Sequence, residues 1–275
     1  MPRAGRATAT PGGRLAMSAT NPYISSGHEK EVFRAAWRNC LPVMLKGPTG
    51  CGKTRLVQAM AQELHRPLFT VACHEDLTAG DLVGRYLLRG GETVWEDGPL
   101  TRAVRQGGIC YLDEIVEARA DTTVVIHPLA DHRRELNVER LGETLQAPPE
   151  FMLVISYNPG YQSVLKDLKP STRQRMVAID LDYPTAAVEE RILVQEAEID
   201  SDLARRLVRL GQAIRALEHE GLPEGASTRT LITTARLIKS GVAPLLAAEV
   251  AIAGPLSDDP SVARSLREMA QIYMA

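Results

Sequence analysis

Aromatic side chains are scarce in this 275-residue sequence, with Phe, Trp and Tyr together only 4% of it, so any core must be largely aliphatic. Its four cysteines, Cys40, Cys51, Cys73 and Cys110, each stand alone in an apolar or loop context. Lacking CxxC pairs, they form neither a zinc-site pattern nor a secreted disulfide framework, and the expected compartment is the reducing cytoplasm. No uninterrupted apolar run approaches the roughly 20 residues needed to span a bilayer, so no membrane insertion is expected. Charge of one sign is also lacking. Charged residues are 24% of the chain but the formal net charge is −2, which gives no electrostatic case for nucleic acid or an anionic membrane as the main partner. The opening MPRAGRATATPGGRLAMSAT has no apolar block of the kind a secretory signal needs. Residues 1–20 read as a disordered leader, with Met17 an alternative start.

What is present is an alternation. PVMLKG (42–47), PLFTVAC (67–73), GICYLDE (108–114), EFMLVISYN (150–158) and the weaker MVAIDLDY (176–183) are short apolar runs suited to buried strands. Amphipathic stretches such as TRLVQAMAQEL (54–64) lie between them. The expected fold class is α/β, a doubly wound parallel sheet with ligands at the carboxyl ends of its strands. After Pro184 only helical patterns follow, in TAAVEERILVQEAE, SDLARRLVRLGQAIRALEHE, STRTLITTARLIKSG, APLLAAEVAIAG and PSVARSLREMAQIY. The chain therefore divides into an α/β core at 21–184 and a helical lid at 185–275.

The strongest chemical signal is GPTGCGKT, formed by Gly47, Pro48, Thr49, Gly50, Cys51, Gly52, Lys53 and Thr54 between a strand and a helix. Glycines let backbone N–H groups curl round phosphate oxygens at a helix N-terminus, Lys53 reaches the β- and γ-phosphates, and Thr54 offers its hydroxyl to Mg²⁺. A glycine-rich turn with an incidental lysine accounts poorly for that placement. Sixty residues on, ICYLDE ends an apolar strand in Asp113 and Glu114. By itself this is a common strand-to-loop transition; after a phosphate loop, Asp113 can hold the magnesium and Glu114 can polarise an attacking water. The pair favours hydrolysis over kinase chemistry.

Asn158 ends the next strand in SYNPG, where it can orient the water or serve only as a turn former before Pro159. STRQRM supplies Arg173 and Arg175 before the last core strand. ASTRT supplies Arg229 after a Ser227 or Thr228 helix cap. An arginine facing a γ-phosphate stabilises transition-state charge and can come from a neighbouring subunit, although most arginines are solvated surface charges.

That order of motifs resembles an AAA+ ATPase. More narrowly, GPTGCGKT, VACHEDLTAGDLVGRYL, DGPLTRA, ICYLDEIVEARADTTVVIHPLADHRRELNV, LVISYNPGYQSVLKDLKPSTRQR and GASTR are similar to the MoxR group, in particular its CbbQ/NorQ/NirQ subfamily, from about residue 22 onward. The resemblance implies a P-loop AAA+ core with a C-terminal helical lid and ATP and Mg²⁺ as cofactors. It implies nucleotide and metal binding by Lys53, Thr54 and Asp113, water activation by Glu114, and a first-sensor role for Asn158. It further implies a trans-acting finger in Arg175 or its rival Arg173, and a second sensor in Arg229. The family places an aromatic residue directly after the finger pair; Met176 stands there instead, so both arginines stay candidates.

The resemblance also implies a homo-hexameric ring acting with a CbbO-like von Willebrand factor A protein to reactivate inhibited Rubisco by ATP-driven conformational change. The alternative is a NorQ/NirQ-type ATPase that matures nitric oxide reductase with a NorD-like partner. A third possibility is a nucleotide-gated scaffold whose turnover is incidental. In this clade an insertion interrupts the helix after the second strand, here about 77–97 with Gly90-Gly91 at a hairpin tip and Tyr86 and Trp95 on its arms. A second hairpin, about 131–146, precedes the first-sensor strand. His127, His132 and Asp131 lack the spacing of a helical zinc site, and Cys73-His74-Glu75-Asp76 reads as a strand end and loop. Arg133 and Arg134 suit either a subunit boundary or a solvated hairpin.

Overall fold

A computed structural model describes residues 23–159, 168–217 and 224–274. The leader at 1–20 and the GYQSVLKD part of the sensor-strand motif lie outside the described residues. The chain begins with helix α1 (Glu29–Arg38), strand β1 (Val43–Lys46), helix α2 (Lys53–Glu63) and strand β2 (Leu68–Ala72). Short helix α3 (Ala79–Val83), hairpin strands β3 (Gly84–Arg89) and β4 (Glu92–Asp97), helix α4 (Pro99–Gln106) and strand β5 (Ile109–Asp113) follow. Next come α5 (Ala120–Val125), a second hairpin of β6 (Glu135–Val138) and β7 (Glu143–Gln146), then β8 (Met152–Tyr157), α6 (Pro170–Arg173) and β9 (Val177–Asp180).

Strands β2, β5, β8, β1 and β9 form, in that spatial order, a five-stranded sheet whose pairs are all parallel. The central strands β5, β8 and β1 are buried on both faces, as a parallel sheet covered by helices requires, and alternate residues serve different cores. Ile109 and Tyr111 of β5 pack with Leu56, Val57 and Met60 of α2 on one face. Cys110 and Leu112 pack with Leu100, Ala103 and Val104 of α4 on the other. This fixes the register, because a one-residue slip would exchange the two faces. It also aims the carboxyl ends of β1, β5 and β8 at one edge of the sheet.

The inserted hairpins stand on the α4 side. A capping box, in which Thr78 and Asp81 hydrogen-bond each other's backbone N–H groups, starts α3. Gly90 and Gly91, at φ +61° and +87°, make the two-residue turn, a conformation open to glycine but costly for other residues. Tyr86 and Trp95 face each other across the strands with ring centroids 5.2 Å apart, edge to face. Trp95 is partly buried against the core, whereas Leu88 near the tip is 77% exposed. The Tyr86 hydroxyl reaches the Arg140 carbonyl between β6 and β7 at 3.4 Å, so the two hairpins touch.

From Ala186 onward the described elements are all helices: α7 (Ala186–Ala197), α8 (Ser201–Ala216), α9 (Thr228–Lys239), α10 (Pro244–Ala248), α11 (Gly254–Leu256) and α12 (Pro260–Met274). They enclose their own apolar cluster, which includes Leu193, Leu207, Ile214, Leu231 and Leu266. The APLLAAEVAIAG stretch is helical without a gap from Pro244 to Leu256, but its α pattern is interrupted where Glu249–Ala253 forms a π-helical turn ahead of Gly254. Pro255 follows, and its missing N–H cannot bond back in the α pattern.

Candidate active site

The carboxyl edge of the sheet gathers the sequence-predicted residues. After β1 the GPTGCGKT loop turns into α2, whose N-cap Gly52 provides no side-chain hydrogen bond, leaving the first-turn N–H groups for an anion, as phosphate-binding helices do. Lys53 is buried and donates from Nζ to the carbonyls of Gly47 at 2.8 Å and Pro48 at 3.0 Å. Gly50 sits at φ +70°, and a Cβ there would meet Cβ and Oγ of Ser227 at 2.7 Å. The loop is thus pressed directly by the N-cap of α9. Cys51 is buried within the loop, and burial pushes its thiol upward, the opposite of the shift that activates a cysteine nucleophile.

Asp113 ends β5. Thr54 donates to its Oδ2 at 3.3 Å. Its Oδ1 accepts from Tyr111 at 2.7 Å and from Ser156 at 2.5 Å. One carboxylate oxygen is therefore held by two hydroxyls while the other faces Thr54, an all-oxygen pair of the type Mg²⁺ prefers. Tyr111 and Ser156 were not singled out by sequence reasoning. The available signal was spacing: Tyr111 lies two residues before Asp113 and so on the same face of its strand, and Ser156 is the polar interruption in FMLVISY.

Glu114 follows in left-handed geometry, φ 54° and ψ 50°, which a non-glycine residue adopts at a cost and which clusters at functional sites. Its N–H donates to Ser156 Oγ at 3.3 Å. Burial raises the Glu114 carboxyl above its ordinary value, with Asp113 and Glu117 adding to the rise; Lys53 and the backbone N–H of Asn158 oppose it. A carboxylate poised upward in this way is matched to proton acceptance. Asn158 is buried beside it.

Lys53, Thr54, Asp113, Glu114 and Arg229 line one cavity of about 490 Å³. A second cavity of about 420 Å³ shares Gly50, Gly52, Arg55 and Thr228 with it and continues over Tyr23, Ile179, Leu181 and Ile192. The first carries the glycine-rich loop, Lys53 and both carboxylates, and the second adds the apolar side chains of Ile24, Ile179, Leu181 and Ile192, so together they suit the two ends of a nucleotide. The wall of the second cavity depends on Glu29, another residue the sequence reading passed over. Its buried carboxylate accepts the N–H groups of Ser26 and Gly27 at 2.8 Å each and the Tyr23 hydroxyl at 3.0 Å. Arg55 of α2 forms an ion pair with Glu196 of α7 across the cleft.

Arg173 and Arg175 do not line either cavity of this chain. Arg175 is exposed and donates to the Ser171 carbonyl at 2.5 Å, while Arg173 is half-buried. Met176 packs against the core. His127 pairs through Nε2 with Thr172 Oγ1 at 2.9 Å. Arg134 differs from both roles expected for it: it bonds the carbonyls of Cys40, Pro148 and Phe151, tying the base of the second hairpin to the core, while Arg133 is exposed and pairs with Asp131.

A parallel sheet ending in a phosphate loop, an Asp-Glu strand end and a lid helix over the same cavity defines an AAA+ ATPase. Comparison with known proteins agrees: the AAA domain profile (dynein-related subfamily) matches residues 42–176 and the CbbQ/NirQ/NorQ C-terminal profile matches 189–273. The chain belongs to the CbbQ/NirQ/NorQ family of MoxR-type AAA+ ATPases. It is 63% identical over 257 residues to the denitrification regulatory protein NirQ of Pseudomonas aeruginosa, covering 94% of this chain and 99% of that one. It is 58% identical to NorQ of Paracoccus denitrificans, with coverages of 90% and 92%. CbbQ of Hydrogenophilus thermoluteolus is 55% identical, with coverages of 92% and 95%. These values do not single out the Rubisco role. A RuvB variant from Thermotoga maritima superposes with a TM-score of 0.54 at 16% identity, over 87% of this chain and 68% of that one, and shares the fold alone.

Proposed function

We propose that this ATPase is a remodelling motor of the denitrification branch of its family, acting on nitric oxide reductase in the cytoplasm with a NorD-like von Willebrand factor A partner. The observation that supports the motor reading is the common cavity of Lys53, Thr54, Asp113, Glu114 and Arg229, which gathers groups suited to binding phosphates, holding Mg²⁺ and activating water and lies away from the exposed tip of the 84–97 hairpin. In this reading Lys53 and the Gly47–Thr54 loop bind the phosphates, Thr54 and Asp113 hold Mg²⁺, and Glu114 activates water with Asn158 as sensor. Arg229 reads the nucleotide from the lid. Arg175 is the better candidate for a finger reaching into a neighbouring subunit of a hexamer, because it is exposed while Arg173 is half-buried. The core (21–184) and lid (185–275) then shift with nucleotide state, and the two touching hairpins pass the change to the client.

The choice of client rests on similarity to NirQ and NorQ at 63% and 58%. The 55% identity to CbbQ supports a second reading, reactivation of inhibited Rubisco with a CbbO-like partner. Reconstitution separates them. ATP-dependent gain of reductase activity, with no recovery of inhibited Rubisco, supports the first reading, and the reverse result supports the second.

A further inference from the structure

Behind the phosphate loop lies a buried polar cluster that the hydrolytic residues do not touch. Glu189 of α7 is completely buried. Arg215, near the end of α8, grips it bidentately, Nη2 to Oε1 at 2.7 Å and Nη1 to Oε2 at 2.9 Å. Thr228 Oγ1 donates to Glu189 Oε1 at 2.6 Å, and Arg215 Nε donates to the Ala226 carbonyl at 2.7 Å. The guanidinium carbon also lies 4.0 Å from the centroid of the Tyr183 ring, and the Tyr183 hydroxyl comes within 3.5 Å of the Thr49 carbonyl in the phosphate loop.

Both ends of this cluster concern the nucleotide cavity. Ala226 and Thr228 flank the Ser227 N-cap of α9, whose Cβ and Oγ sit where a Gly50 side chain would be. Arg229, the next residue, lines the cavity with Lys53, Asp113 and Glu114. A buried ion pair is a poor source of stability, since well-packed apolar residues serve as well or better; what it can supply is a fixed arrangement of its partners. Here the side-chain hydrogen bonds outside the pair go to the first turn of α9 or its flank.

We propose that Arg215 and Glu189 are positioning residues for ATP hydrolysis. They clamp the first turn of α9 against the phosphate loop and so hold Arg229 over the cavity. The inference rests on the reading of Arg229 as a nucleotide-facing group and goes beyond it by naming what orients that group.

The test is a double-mutant cycle on the full-length protein, reading kcat/KM for ATP together with the melting temperature. R215K keeps the charge but loses the bidentate fork, and T228V is the milder second variant should R215K not fold. The expectation is a fall of about tenfold in kcat/KM for R229A and a fall of about threefold or more for R215K or T228V. Each of these second changes should have no further effect in the R229A background, because coupled residues are non-additive. Losses that multiply in the double variants, or variants with lowered melting temperature but unchanged kcat/KM, would overturn the positioning role while leaving Arg229 in place. An R229A protein with unchanged kcat/KM would overturn the reading of Arg229 and the inference with it.

Discussion

Ser156 holds Asp113 by a hydroxyl-to-carboxylate hydrogen bond of 2.5 Å, to the same oxygen that accepts from Tyr111. The two donors saturate Oδ1 and leave Oδ2 turned toward Thr54. Groups that orient a metal-binding carboxylate set the affinity of the site, and losing one typically costs about tenfold or more in metal affinity. S156A and Y111F should therefore raise the Mg²⁺ concentration for half-maximal ATPase activity by about tenfold, with much smaller effects on nucleotide binding measured without metal. An unchanged Mg²⁺ requirement in both would show that the hydroxyls serve only packing.

The raised carboxyl of Glu114 gives a pH prediction with a definite sign. Folding favours its protonated form, so ionising it costs the folded state. That cost appears as pH rises from the ordinary carboxylate range through the raised folded value. E114Q should therefore melt higher than the parent near neutral pH, and the difference should vanish in acid, where both side chains are neutral. The acid limb of the parent's kcat profile should lie above the titration of an ordinary glutamate. A stability gain that persists in acid would point to packing instead.

Substitution at Gly50 tests the contact between loop and lid. G50A introduces a Cβ at φ +70° against Ser227 at 2.7 Å, and such backbone strain alone costs on the order of 1 kcal/mol. ATP binding should weaken and the melting temperature fall. S227G in the same chain should recover part of the binding by removing the opposing Cβ. If it recovers none, the loop is displaced by its own strain rather than by the lid.

The sheet and the phosphate loop were legible in the sequence because their signals are local. Buried parallel strands read as apolar runs, and a strand, glycine loop and helix occupy consecutive residues. Other features depend on residues distant in the chain. Ser156 and Tyr111 meet only because β5 and β8 are adjacent in register, and nothing near Glu189 in the sequence announces Arg215. Arg134 shows the converse: a charge that local reading leaves on a hairpin surface sits at φ +52° and bonds backbone carbonyls of the core. The 84–97 hairpin was legible from Gly90-Gly91, while its contact with the 131–146 segment through Tyr86 and Arg140 was not.

That contact gives the hairpin a testable role. Shortening the arms by removing 87–94 and rejoining them with a two-residue glycine turn should leave ATPase activity within about twofold, because the hairpin lies outside the nucleotide cavities, and should abolish client activation. If activation survives, force passes through the 131–146 hairpin instead.

In the proposed function, hydrolysis at Glu114 is what drives the client. The most direct measurement compares wild type and E114Q, each with the proposed von Willebrand factor A partner, for ATP-dependent activation of nitric oxide reductase and of inhibited Rubisco. E114Q should bind ATP as the wild type does, hydrolyse it at least about 100-fold more slowly, and activate neither client, while the wild type activates the reductase. Full activation by E114Q would contradict the proposed function and make the protein a scaffold gated by nucleotide binding alone.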